Sequence, residues 1–515
     1  MRKSDTTRVV VVGGGAAGWL AAGIIAAKNP GTQGTGATQV TLIESPGLKN
    51  LGVGEGTWPT MRDTLRNIGI SERQFLSCCH ASFKQASKFV GWQHGKGEHY
   101  YHPFTAPAGY GVINLAEAWH EQGCPGDFES WVCAQGTACE HNLAPKLPEL
   151  PEYAYNFNYG YHLSADKFVE LLHDHCTNKL NVEYLSAHVA GINSHPSGAI
   201  ASIALAEGGV VEGDLFVDCT GFQSLLLRQH YNVPYVSRRD VLFNDCAMAG
   251  QVHHASDDTP ISSSTVATAQ SYGWMWDIAL TGRRGIGHVF ASQYATDAQA
   301  EDTLRSYVAQ DPHLQQGAFE PRVFRFEPGH LGRFWEHNCV AIGISAGFVE
   351  PLEATSLVLI EKSAEWIAAQ LPRTPAAMAI LARRFNTLTR ERWDEIVDFI
   401  KLHYVLSERR DSEYWRAHVD PSSWTDTLKD SLALWKSQPP GLLESNVKHE
   451  LFSSASKQYV LYGMGFRSTD WQAGEALTRQ KALIERIRRE SRQTGENLVS
   501  RLPSNRDYLN RLRTR

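Results

Sequence analysis

The chain has 515 residues, 42% of them hydrophobic and 20% charged, a balance that supports a large folded core and excludes intrinsic disorder. A formal net charge of −6, from 49 basic and 55 acidic residues, gives no electrostatic case for nucleic acid as a partner. The nine cysteines include the adjacent pair Cys78 and Cys79 but no Cys-x-x-Cys spacing, which argues against a disulfide framework and fits a reducing cytoplasm. The histidines His99 and His102 sit three apart in a chain of 21 histidines, and with no Cys/His cluster at zinc spacing no metal is expected.

In chain order, the first segment is RVVVVGGGAAGWLAAGIIAAKN. Its 19 uncharged residues from Val9 to Ala27 are long enough to cross a bilayer, but five of them are Gly. The reading is therefore a strand, a Gly turn and a buried helix, and no membrane is expected. Val9 to Val12 suit a strand buried on both faces. Gly13, Gly15 and Gly18 then form G-x-G-x-x-G, and QVTLIES supplies a second strand ending at Glu44. In this βαβ context the glycines let backbone approach a pyrophosphate, the helix start offers it free N–H groups, and Glu44 is placed to accept from a ribose. A ligand-free Gly turn is the plain alternative.

A second Gly-rich piece, GVGEGTWP, spans residues 52–59. A helix is expected through Asn67 and Ile68, and another over the stretch containing CCHASFKQASKFVGW (78–92). Residues 93–159, rich in His, Gly, Pro and aromatics, read as long loops. YHLSADKFVELLHDHC shows helical periodicity behind an N-cap-like Ser164. NVEYLSAHVAGI and GGVVEGDLFVDCTGF read as strands of the same α/β unit, and residues 240–330 as an antiparallel sheet laid over it. NCVAIGISAGFVEPLEATSLVLIEKSAEWIAAQL reads as strand, turn and helix, and Ala376 to Ser407 as helix. The tail from Glu475 carries 11 basic and 5 acidic residues and reads as a surface helix plus an extended end.

These motifs together resemble the flavin-dependent tryptophan halogenase family, collinearly over nearly the whole chain. The resemblance is carried by GGGAAGW (13–19), GVGEGT, ASFKQASKFVGW, YHLSADKF, DLFVDCTGF, GWMWDIAL, AIGISAGFVEPLEATS, the segment 402–407 and LPSNRDYL. It implies an α/β fold: an FAD-binding, Rossmann-like domain of the flavin monooxygenase type with an antiparallel sheet and a mostly helical substrate-binding part. The expected division is 1–370 for the FAD-binding module and 371–515 for the helical part with its basic tail. The resemblance also implies FAD used as FADH2, supplied by a separate flavin reductase. Consistent with this, only one dinucleotide fingerprint has strand–turn–helix context, since the glycines of GTQGTGATQ (31–39) precede a strand instead of following one.

The implied reaction passes through a flavin hydroperoxide and hypohalous acid. The family's catalytic Lys matches Lys84 in ASFKQASKF, with Lys88 one turn later on the same face of the expected buried helix. The family's Glu matches Glu353 in EPLEATS, with Glu350 three residues earlier in a structural or flavin-adjacent place. The halide is implied at the backbone amides of Thr355 and Ser356, where Ala354-Thr355-Ser356 replaces the family's Ser-Thr-Gly. Trp274 and Trp276 match the flavin-proximal pair of WxWxIP, but Ala279 stands where the proline would be. Gly13, Gly15, Ala16, Ala17, Gly18, Glu44, Val189, Gly343 and Phe348 are the implied cofactor contacts.

Each assignment has a plainer alternative: a surface Lys, a helix-capping Glu, and two Trp packed on one face of a strand. The expected substrate is an electron-rich, indole-like arene other than free tryptophan, either a larger indole or a peptide-borne one. The family implies a homodimer. The rival readings are a flavin monooxygenase that hydroxylates without halide, which the departures at Ala279 and Ser356 favour, and a non-catalytic flavin-binding protein.

Overall fold

The computed structural model describes residues 6–31, 37–47, 54–315, 319–442, 450–472 and 474–513. Val9 to Val12 are buried in the strand Thr6–Val12, which pairs in parallel with Ala37–Glu44 on one side and Leu215–Asp218 on the other. Glu183–Ser186 and Cys339–Ala341 extend this sheet in parallel, and the short Trp335–Glu336 closes one edge antiparallel. Burial on both faces follows from the helices around it: Ala16–Lys28 packs against Thr355–Ala369 and against Ala165–Lys179. The expected α/β fold is therefore present.

The expected antiparallel sheet is also present. It has seven strands in the order Arg322–Arg325, Cys246–His253, Arg283–Phe290, Gly273–Ala279, Ser264–Gln270, Ala86–Val90 and His99–Pro103. Only Ser264–Gln270 and Ala86–Val90 run parallel. A small third sheet, Gly54–Gly56, Gly160–Ser164 and Ser82–Lys84, bridges toward the nucleotide domain. Helix Pro375–Val405 carries the long helical pattern read from the sequence.

Three expectations are corrected. Residues 82–90 form the strands Ser82–Lys84 and Ala86–Val90, not a buried helix; the preceding helix ends at Cys78. Partners on both sides take up the backbone groups of this segment: Gln85 N–H donates to Ser263 O at 2.6 Å and Phe104 N–H donates to Gln85 O at 2.9 Å. Pairing of this kind overrides local helical pattern. Residues 93–159 hold the strand His99–Pro103 and the short helices Leu115–Glu121, Phe128–Val132 and Gln135–Glu140 among their loops. The tail continues past the helix Glu475–Val499 into a second helix, Asn505–Arg513, instead of ending extended. Pro503 breaks the first helix, and Ser504 Oγ accepts from Asp507 N–H at 3.0 Å to start the second. Of the Gly-rich piece at 31–39, residues 32–36 lie outside the described residues, as do Gly52 and Val53.

Candidate active site

The turn after the first strand is shaped by glycine. Gly13 has φ +115°, and a Cβ there would lie 2.2 Å from Cys219 O. A Cβ on Gly14 would meet the Glu44 carboxyl at 2.1 Å, so the acid at the end of the second strand closes directly over the turn. Gly18 does not line the cavity: its Cβ would collide with Gly13 O at 1.8 Å, so its smallness lets the helix close onto the turn. Gly15 caps the helix Ala16–Lys28 without any side-chain cap, leaving its first N–H groups to a ligand.

This turn forms one end of a cavity of about 740 Å³. Gly13, Gly15, Ala16, Ala17, Glu44 and Val189 all line it. Its wall continues past Gly343 and Phe348, whose ring packs edge-on against Phe222 and Phe326. Trp274, Trp276, Lys84, Glu353, Thr355 and Ser356 line it as well. A cradle that admits backbone but no Cβ, a bare helix start and an apolar, dinucleotide-sized cavity fit FAD. Glu55, which the sequence reading passed over, also faces this space, and burial pushes its carboxyl up to about 7.

Lys84 ends the strand Ser82–Lys84, opposite Gly160, and is 1% exposed. Its ammonium lies against Gly56, where an added Cβ would be 3.2 Å away, and 5.4 Å from the centre of the Phe104 ring. Among the described residues its side chain makes no hydrogen bond or ion pair. Burial lowers its pKa to about 8, against the opposing pull of the Glu353 charge. Lys88 is different: it leaves the cavity and pairs with Glu140 at 2.9 Å. Phe83, one residue before Lys84, is braced from behind by the C-terminal helix, with its ring against Tyr508 and its carbonyl accepting from Asn505 Nδ2 at 3.2 Å.

Glu353 sits in the turn before the helix Thr355–Ala369. Both Glu353 (φ +67°) and Ala354 (φ +55°) adopt the left-handed conformation, which costs L-residues about 1–3 kcal/mol each and clusters at functional sites. The turn aims the Glu353 side chain at two histidines: Oε1 accepts from His102 Nδ1 at 2.7 Å and from His403 Nε2 at 3.1 Å. Ser87 Oγ donates to Oε2 at 3.3 Å, and Trp58 Nε1 donates to the Glu353 carbonyl at 2.7 Å. Burial pushes the carboxyl up, but the two histidines outweigh it and hold Glu353 below the usual carboxylate range. Thr355 and Ser356 begin the helix, so their N–H groups have no intrahelical acceptor.

Glu350 is fully buried and acts on the cavity wall. Its Oε2 accepts from Trp274 Nε1 at 2.6 Å, from Asn244 Nδ2 at 2.7 Å and from the Tyr404 hydroxyl at 2.7 Å. Trp274 is thereby fixed in orientation beside Trp276 on the strand Gly273–Ala279, their ring centres 6.3 Å apart. The same strand runs on to Ala279, which pairs with Arg284 where a proline would lack the N–H.

The sequence reading missed His102 and His403 as partners of Glu353. The sequence around His102 offers only its spacing of three from His99, which carries no sign of Glu353. His403 lies inside the matched segment 402–407, where a signal was present but unread.

A profile described as tryptophan halogenase matches residues 8–479. The tryptophan 6-halogenase SttH of Streptomyces toxytricini is 30% identical over 531 residues, covering 99% of this chain and 99% of its own. The solved structure of a tryptophan halogenase from Shewanella frigidimarina is similar with a TM-score of 0.94 at 40% identity, over 100% of this chain and 98% of that one. BrvH, a flavin-dependent halogenase from Brevundimonas, is similar with a TM-score of 0.85 at 30% identity, over 98% and 99%.

Proposed function

Because the chain belongs to the tryptophan halogenase family, we propose that it halogenates an electron-rich, indole-like arene, with Lys84 directing the halogen and Glu353 assisting substitution. It is an enzyme, a flavin-dependent halogenase that uses FAD as FADH2 together with a halide ion. The observation that carries the residue assignment is that two buried side chains of opposite charge, Lys84 and Glu353, line the same cavity as the dinucleotide turn, with the Glu353 charge acting on Lys84.

Reduced FAD, with dioxygen and halide, supplies hypohalous acid. The first-turn amides of Thr355 and Ser356 suit a halide by the same physics that suits any anion at a helix start. The oxidant is small and diffusible, so it needs a partner that aims it. Lys84 as ammonium can donate a hydrogen bond to it, and as amine can carry the halogen; a pKa of about 8 keeps both forms accessible. The halogen forms a bond to a ring carbon as the oxygen–halogen bond breaks. Glu353 stabilises the cationic ring and accepts the proton lost from that carbon, and the released hydroxide recovers a proton to leave as water.

A separate flavin reductase is the partner that such enzymes need. The curated relative named above acts on tryptophan; for this chain we favour a larger indole or a peptide-borne one over the free amino acid. A homodimer and a cytoplasmic location complete the reading, the latter supported by nine unpaired cysteines. No helix among the described residues is long and apolar enough to cross a membrane.

The test is mass spectrometry of an arene panel incubated with the enzyme, a flavin reductase and either bromide, chloride or a non-nucleophilic anion. Halogenated product is expected only with halide, and best from an indole larger than tryptophan. A hydroxylated product formed without halide would overturn the reaction, and free tryptophan as the best substrate would overturn the substrate reading.

A further inference from the structure

The two histidines on Glu353 are not accounted for by the chemistry above, and their hydrogen-bond geometry fixes a proton inventory. His403 Nδ1 lies 2.9 Å from the Phe399 carbonyl, which can only accept, so this nitrogen carries a hydrogen. Its other nitrogen lies 3.1 Å from Glu353 Oε1. One hydrogen must therefore sit between Nε2 and Oε1, on an imidazolium facing a carboxylate or on a carboxylic acid facing an imidazole. His102 brings a second N–H to the same oxygen at 2.7 Å. The two oxygens of Glu353 are thus unlike: Oε1 holds both rings, whereas among the described residues Oε2 holds only Ser87 Oγ at 3.3 Å.

The surroundings leave these rings little freedom. His403 is 0% exposed and packed by Phe89, Trp92 and Phe399, with ring centres at 4.7, 6.0 and 5.3 Å. His102 is anchored by the strand His99–Pro103, where it pairs with Ser87. The other titratable groups facing the cluster include Lys84 toward Glu353, Glu350 toward His403, Tyr459, whose ring lies 6.1 Å from that of His102, and Tyr100, whose hydroxyl has no hydrogen-bond partner among the described residues.

We propose that His102 and His403 are positioning residues for Glu353: together they occupy Oε1, fix the carboxylate in one rotamer, and leave Oε2 as the oxygen that serves the arene. This rests on the reading of Glu353 as the group that assists substitution. Without the rings a buried carboxylate would protonate, because burial penalises its charge and only the hydroxyl of Ser87 would remain to hold it. The imidazoles therefore keep a base available at the cavity, and they act through Glu353.

The experiment compares His403→Leu, His403→Gln, His102→Asn and Glu353→Gln, each checked for flavin binding, with halogenation followed against pH using chemically reduced FAD and bromide. Glu353→Gln is expected to slow halogenation by about 10²- to 10⁴-fold. His403→Leu is expected to lower kcat more than it changes KM and to move the acid limb of the pH profile up by about one unit or more. His403→Gln, which keeps a donor near Oε1 but cannot take up a proton, is expected to recover part of kcat but not the pH dependence of the wild type. In the Glu353→Gln background, His403→Leu is expected to add nothing. If Glu353→Gln matches wild type, the underlying reading of Glu353 fails. If Glu353→Gln is slow but His403→Leu and His102→Asn leave kcat and the acid limb unchanged, or the double variant loses the full product of both effects, the positioning role fails while that reading stands.

Discussion

Lys84 is a buried ammonium whose pKa is lowered from 10.5 to about 8, so the folded state holds its proton less tightly than the unfolded chain does. A depressed Lys pKa is a stability penalty, fully present below about 8 and removed as pH climbs toward 10.5. Replacing Lys84 with Leu is therefore expected to stabilise the fold at pH 7 by something on the order of 3 kcal/mol, with the advantage fading by about pH 10. Urea unfolding at the two pH values checks this; a variant less stable than wild type at pH 7 would mean that the ammonium is well solvated. At this scale the sequence was informative about identity and silent about environment. EPLEATS and ASFKQASKF pointed to Glu353 and Lys84, but nothing in either stretch signalled two histidines from positions 102 and 403. Contacts across more than 250 residues of chain separate what a motif can carry from what only folding assembles.

At the scale of elements, the turn after the first strand ties the dinucleotide motif to the fold. Gly13 combines a left-handed φ of +115° with a backbone carbonyl 2.2 Å from any added Cβ. Gly13→Ala is expected to weaken FAD binding severely and to lower the thermal midpoint, since both the strain and the clash must be relieved by moving the turn. Flavin titration and thermal unfolding report the two effects separately; unchanged affinity would displace the cofactor from this turn. The βαβ order, the five antiparallel-sheet strands between Cys246 and Arg325 and the long helix were legible because each shows its own hydrophobic period, whereas the sheet's other two strands were not. The stretch 82–90 was not, because Lys84 and Lys88 at a spacing of four imitate a helix face. The structure instead puts a strand break at Gln85 and sends Lys88 to Glu140. Likewise the basic C-terminal tail gave no hint that Asn505 and Tyr508 would brace Phe83, next to Lys84.

Taken whole, the molecule joins two chemistries through one interior space. The parallel-sheet unit contributes a helix start without a side-chain cap and the Glu44 carboxyl to the wall of a cavity of about 740 Å³. The antiparallel sheet, the small bridging sheet and the turn at 353–356 line the same cavity with indoles, an ammonium and a carboxylate. Lys84 is 1% exposed yet forms part of the cavity wall, the placement that a role in directing the oxidant requires. The most direct measurement is a turnover assay of Lys84→Ala with a flavin reductase, bromide and an indole substrate, following oxidation of reduced FAD and halogenated product in the same reaction. The account predicts that the variant still binds and reoxidises FAD while releasing no halogenated arene; product at the wild-type rate and regiochemistry would contradict it.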